Sequence, residues 1–154
     1  MAASDPTLPP QPELRGIGGL LILVAIGQVL GPVRMLIAFV QYHATTPGEA
    51  WTRFPVAMTG ELLMTVAVIA IVIWTSFLFF RKSARFPAMF TIEWAAATAL
   101  FPVNTFWASL ATGLPMSTFA GGSDVLEWLL YAVAGFAWVM YVHNSVRVRN
   151  TFVE

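Results

Sequence analysis

The sequence predicts an all-α integral membrane protein, a four-helix bundle with both termini in the cytoplasm. Three observations carry that prediction. Residues 62–80, LLMTVAVIAIVIWTSFLFF, form a run of nineteen without a charge, a proline or a glycine. At the α-helical rise this run covers about 28 Å, the hydrocarbon thickness of a bilayer, where an isolated segment must satisfy its own backbone and so becomes a helix. Hydrophobic residues make up 58% of the chain and charged residues only 10%, against about 25% charged in soluble domains. Lys and Arg near the span ends are also asymmetric. Arg15, Arg81, Lys82, Arg85, Arg147 and Arg149 fall on one side, and only Arg34 and Arg53 toward the other. Basic loops stay inside the cell, which sets the orientation.

The first 14 residues hold Pro6, Pro9, Pro10 and Pro12 among polar neighbours, too little apolar surface to fold, and are expected to be a disordered tail. No basic segment precedes the apolar run, so cleavage as a signal peptide is not expected. The transmembrane domain then covers residues 15–144, with spans at about 17–42, 57–80, 87–110 and 125–144. In the first span Gly27 and Gly31 make a GxxxG pair suited to close helix approach, and Pro32 is expected to kink the helix after Leu30. Residues 43–56 read as a polar loop. The second span is the opening run, ended by Arg81, Lys82 and Arg85. Pro87 suits the first turn of the third span, in which Ala95, Ala96, Ala97 and Ala99 offer a small-residue packing face. A loop rich in Gly and Pro leads to the fourth span. Residues 145–154 form a basic tail in which Val146, Val148, Phe152 and Val153 alternate with the arginines. A topological anchor has no use for Thr151 or Phe152, so the tail is expected to be ordered against the helix ends or a partner.

Ionisable groups inside spans are the default functional candidates. Arg34, Glu61, Asn104 and Glu127 each lie 19 or 20 residues from a basic residue of the inner line, about 28–30 Å in a helix. They are therefore expected at one level near the outer face. There Arg34 and Glu61 would pair or snorkel, Asn104 would take the carbonyl freed by Pro102, and Glu127 would complete a capping box begun by Asp124. Trp51, Trp107 and Trp128 are placed at the same interface. Glu93 is different: eight residues past Arg85, about 12 Å inside the cytoplasmic line, it should face other helices or reach back to Arg85 or Lys82.

No constellation for catalysis is present. Cysteine is absent, which removes disulfides, thiolate metal sites and cysteine nucleophiles. His43 and His143 are predicted on opposite sides of the membrane, so no metal or cofactor is expected. Eight acidic and eight basic residues cancel, leaving no basic surface for nucleic acid.

GIGGLLILVAIGQVLGPVR at residues 16–34 and YVHNSVRVRNTFVE at 141–154 resemble the bacterial four-helix membrane family called domain of unknown function 2569. Its members share a Gly-rich opening to the first helix, a proline near that helix's far end, and a C-terminal Ser-x-Arg-Val-x-x-Thr-Phe pattern. The pattern falls here on Ser145, Arg147, Val148, Thr151 and Phe152, while Leu20 stands where members commonly carry Trp. The resemblance implies the four-helix fold and no established activity. The expectation is a small, non-enzymatic protein of the bacterial inner membrane. Lipid is its constant partner, and it would pack with itself or with a larger membrane complex. A small oligomeric transporter or proton-conducting subunit built on Glu93, or on the level of Arg34 and Glu61, is the alternative.

Overall fold

The computed structural model describes residues 14–153; the proline-rich segment read as a tail lies, but for Leu14, outside the described residues, as does Glu154. The regular structure of the described residues is all helical: α1 (Leu21–Thr45), α2 (Gly48–Arg53), α3 (Pro55–Phe80), α4 (Phe86–Thr112), α5 (Gly122–Asn144) and α6 (Val146–Thr151), with a 3-10 turn at Met116–Thr118. Of these, α1, α3, α4 and α5 are long and apolar enough to cross a membrane. The molecule is an all-α, multi-pass membrane bundle.

Local chemistry sets the boundaries. The first span begins four residues later than the sequence pattern suggests, because Gly16 and Gly19 take positive φ angles of 80° and 58°. Glycine enters that region without a side-chain penalty, and the two turn residues 14–20 away from the helix axis. Pro55 opens α3 at its first turn, and the short α2 occupies the segment read as a loop. Gly113, in the left-handed conformation, ends α4 and donates its N–H to the Ser109 carbonyl, a common helix stop. The capping box of α5 lies three residues earlier than expected. Asp124 is its third residue and accepts the Gly121 N–H at 2.8 Å, while Glu127 plays no part and is exposed. Both α1 and α4 continue unbroken through Pro32 and Pro102.

Helix α1 packs on α3, α3 on α4 and α4 on α5. Three indoles fasten this row by donating to carbonyls of the neighbouring helix. Trp107 of α4 bonds to Ala57 of α3 at 3.1 Å, Trp94 of α4 to Ala132 of α5 at 3.1 Å, and Trp128 of α5 to Thr98 of α4 at 2.7 Å. Thr98 lies four residues before Pro102 and is therefore the carbonyl that proline leaves without a helical donor. Trp128, and not Asn104, satisfies it; Asn104 Oδ1 is buried without a partner. Trp107 and Trp128 thus bond within the bundle. Where they lie closest, the neighbouring helix carries glycine: the Trp107 ring covers Gly60 and the Trp94 ring covers Gly135.

Both described ends of the chain meet at one end of the bundle. Leu21, Phe79, Phe86, Val142, Val148 and Phe152 form a buried cluster there. Phe152 stacks on Phe86 at 4.6 Å and lies 5.3 Å from Phe79. The tail is the short helix α6, begun by Ser145, whose hydroxyl accepts the Val148 N–H. The Gly16 N–H donates to Thr151 Oγ1 at 2.9 Å, Arg15 Nε donates to the Asn150 carbonyl, and the Arg147 guanidinium lies over Gly18. The Gly-rich opening and the C-terminal pattern are therefore one structural unit, folded against each other.

Candidate functional site

Because α1 packs on α3 and α5 on α4 without α1 and α5 packing closely on each other, a groove runs between them, with α4 at its floor. It encloses about 300 Å³. Leu23, Gly27 and Gly31 come from α1, Phe90, Glu93, Trp94 and Ala97 from α4, and Tyr131, Gly135 and Trp138 from α5. Most of the lining is apolar and aromatic. The exceptions are Gln28 and Glu93, which meet inside it.

Gln28, only 4% exposed, joins three helices. Its Nε2 donates to the two carboxylate oxygens of Glu93 on α4 at 3.3 and 3.2 Å, and its Oε1 accepts the Ser76 hydroxyl of α3 at 2.9 Å. Ser76 is the hinge of the arrangement, since its oxygen also lies 2.9 Å from the Val72 carbonyl one turn back. In an apolar interior an unpaired amide or carboxyl is costly, so such a network holds its members in one geometry. Glu93 therefore packs against other helices and takes Gln28, not Arg85 or Lys82, as its partner. The Thr75 hydroxyl of α3 is a second neutral partner of the Glu93 carboxyl, which also lines the groove. Gln28→Leu keeps the bulk and removes both bonds, leaving Ser76 and Glu93 short of a partner. The expected loss is about 2–3 kcal/mol, read as a lower unfolding midpoint in detergent, with Gln28→Glu no better because it sets two carboxyls together.

The remaining residues singled out from sequence scatter. Glu61 accepts a hydrogen bond from Tyr42 Oη at 3.0 Å, and among the described residues no ion pair joins it to Arg34. Their levels explain why. Tyr42 of α1 meets Glu61 of α3, and Gln28 meets Ser76, so Arg34 stands eight residues, about 12 Å, below Glu61. Counting helical rise from Arg15 misplaced Arg34, since α1 starts only at Leu21. The arginine is exposed on α1 in the middle of its span. Glu61, Asn104 and Glu127 remain toward the end of the bundle away from the termini.

Within the chain, the GxxxG pair has open space beside it, and the alanine face is only partly covered, with Ala96 and Ala97 half-buried. An added Cβ at Gly27 or Gly31 would meet nothing within 4 Å, and Ala95 and Ala99 are exposed. His43 and His143 are at opposite ends of the bundle, His143 beside Thr91 at 2.8 Å. Among the described residues no group of His, Asp or Glu is placed to hold a metal ion. Sequence reasoning overlooked Gln28 and Ser76. Gln28 is the one side chain able to hydrogen-bond between Leu20 and Pro32, and that isolation in an apolar run was the available signal.

A family profile described as Protein of unknown function (DUF2569) matches residues 14–153. No curated protein and no solved structure matches the chain.

Proposed function

The chain belongs to the family described as Protein of unknown function (DUF2569), and on that premise we propose a non-enzymatic accessory protein of the bacterial inner membrane that acts by docking a transmembrane helix. The observation that carries this reading is the open groove between α1 and α5, with Gly27 and Gly31 bare along one wall and Glu93 at its floor. Glycine lets a second backbone come close, and in lipid helices associate through such packing and through interhelical hydrogen bonds. On this reading both termini lie in the cytoplasm, which the distribution of basic residues supports. Arg15, the Arg81–Arg85 turn, Arg147 and Arg149 gather at the end of the bundle that carries the termini, Arg53 lies at the other, and Arg34 belongs to neither.

A photo-crosslinking residue at Tyr131, which is exposed and lines the groove, is expected to capture a membrane protein in native membranes. The same probe at Val133, exposed on another face of α5, is expected to give none. Equal adducts at the two positions would count against the groove. A second reading follows from Glu93, which no basic residue among those described neutralises: a proton- or cation-handling subunit of an oligomer. It requires Glu93→Gln to abolish ion flux in reconstituted vesicles while leaving the Tyr131 adduct intact.

A further inference from the structure

The groove is not neutral along its length, and the chain carries a matching charge of its own. Glu93 lies in the groove with only neutral partners, the Gln28 amide and the Thr75 hydroxyl. Arg34 lies inside α1, exposed, and among the described residues no acidic group pairs with it. Ionisable side chains within a span pair with one another or face water. Here one cation and one carboxylate, each inside a span, lack a counter-charge among the described residues.

Their placement relates them. Gly27, Gly31 and Arg34 follow at intervals of four and three residues, which puts them on one face of the helix. That is the face of α1 that lines the groove. The bond between Gln28 and Glu93 marks the level of the carboxylate on α1. Arg34 stands six residues farther along, about 9 Å, a gap that an arginine and a glutamate side chain close together when they approach from two helices.

We propose that the groove receives a second copy of this chain in the same orientation, with Arg34 of each copy paired to Glu93 of the other. This rests on the helix-docking reading above and names the partner. Two copies inserted the same way keep equal depths, so the 9 Å offset, about six residues of helical rise, is the same for both pairs. A two-fold axis along the membrane normal makes both pairs at once and closes the assembly. Each α1 then lies in the other copy's groove, glycines against glycines. A helix from another protein would have to bring both an acid and a base at these levels, which this chain already does.

Because the chain has no cysteine, a single introduced one reports contact cleanly. Gly27→Cys adds a side chain where nothing lies within 4 Å, and oxidation in native membranes is expected to give a covalent dimer; Val133→Cys is expected to give none. In the Gly27→Cys background, Arg34→Glu alone or Glu93→Arg alone sets like charges together and is expected to cut the dimer at least tenfold. Co-expressing the two single variants under different tags restores both opposite-charge pairs, so the mixed dimer is expected to return. Rescue only when both changes sit in one chain, with none on co-expression, would mean pairing within a chain and would overturn the proposal. Rescue of Arg34→Glu by Glu127→Arg instead of Glu93→Arg would overturn the assignment of Glu93. Should a reversal fail to accumulate, Arg34→Gln and Glu93→Gln introduce no repulsion. Each is expected to lower the dimer fraction equally and their combination no further; independent, additive losses would overturn the pair. Adducts at Tyr131 with a protein of different mass, and no disulfide dimer, would overturn the second copy and leave the docking reading standing. No adduct by either method would overturn both.

Discussion

Ending the chain after Arg149 is expected to destabilise the bundle by about 3–5 kcal/mol, the range for deleting a buried phenylalanine, although no part of a spanning helix is removed. Phe152 is 5% exposed and sits against Phe79 and Phe86, at the α3–α4 turn. Its loss empties the centre of the cluster that also holds Leu21, Val142 and Val148. Thr151 goes with it, and with Thr151 the acceptor for the Gly16 N–H. The Gly-rich opening of α1 then loses its anchor. Arg147 and Arg149 remain, so the orientation signal is kept and a loss is attributable to packing. The unfolding midpoint in detergent and protease cleavage within residues 14–20 are the measurements. Phe152→Ala should reproduce most of the loss and Phe152→Leu a small part. A truncated chain with an unchanged midpoint and an uncut opening segment would show that α6 contributes nothing to the bundle.

Gly60→Ala is expected to cost about 3 kcal/mol, whereas Gly27→Ala is expected to stabilise the isolated chain slightly. A methyl group at Gly60 would enter the Trp107 ring, and that ring is held by its bond to the Ala57 carbonyl. The indole cannot yield without breaking the bond, so overpacking adds to a lost hydrogen bond. Gly135→Ala meets the Trp94 ring in the same way. Gly27 has open space around it, and replacing a helical glycine there recovers about 0.5–1 kcal/mol of backbone entropy. Opposite signs in thermal unfolding of the monomer would support the assignment. A destabilised Gly27→Ala monomer would mean that a helix of the same chain already covers the groove wall.

The contrast between these glycines shows where reading along the chain stops. Gly27 and Gly31 carry the spacing associated with helix approach, yet the approach inside this bundle occurs at Gly60 and Gly135, which stand alone. A close contact needs a small residue on one helix and a large one at the same height on the next. The second half of that condition depends on the register between helices, which no spacing within one helix encodes. Arg34 and Glu61 illustrate the same limit. Their distances from the basic line match in the sequence, but six residues before α1 are turn, not helix, and the two levels part by two turns. Gln28 was legible as the lone amide of an apolar run; that it bridges Ser76 and Glu93 was not.

By itself the sequence determined that the chain is a membrane bundle of four spans, because length and hydropathy are properties of one segment and bilayer thickness is a single external ruler. It also marked Gly16 to Gly19 and Ser145 to Phe152 as patterned beyond the needs of a span. Only the tertiary structure decided that these two segments, 135 residues apart at Gly16 and Thr151, are one cap. It alone decided that α1 and α5 stay apart, and that Gln28 and Glu93 share the floor of the groove this leaves. The physical reason is that lipid accepts any apolar helix face. Hydropathy therefore says that a helix is buried in the membrane, while the choice of neighbour falls to steric fit and to hydrogen bonds between side chains distant in the chain.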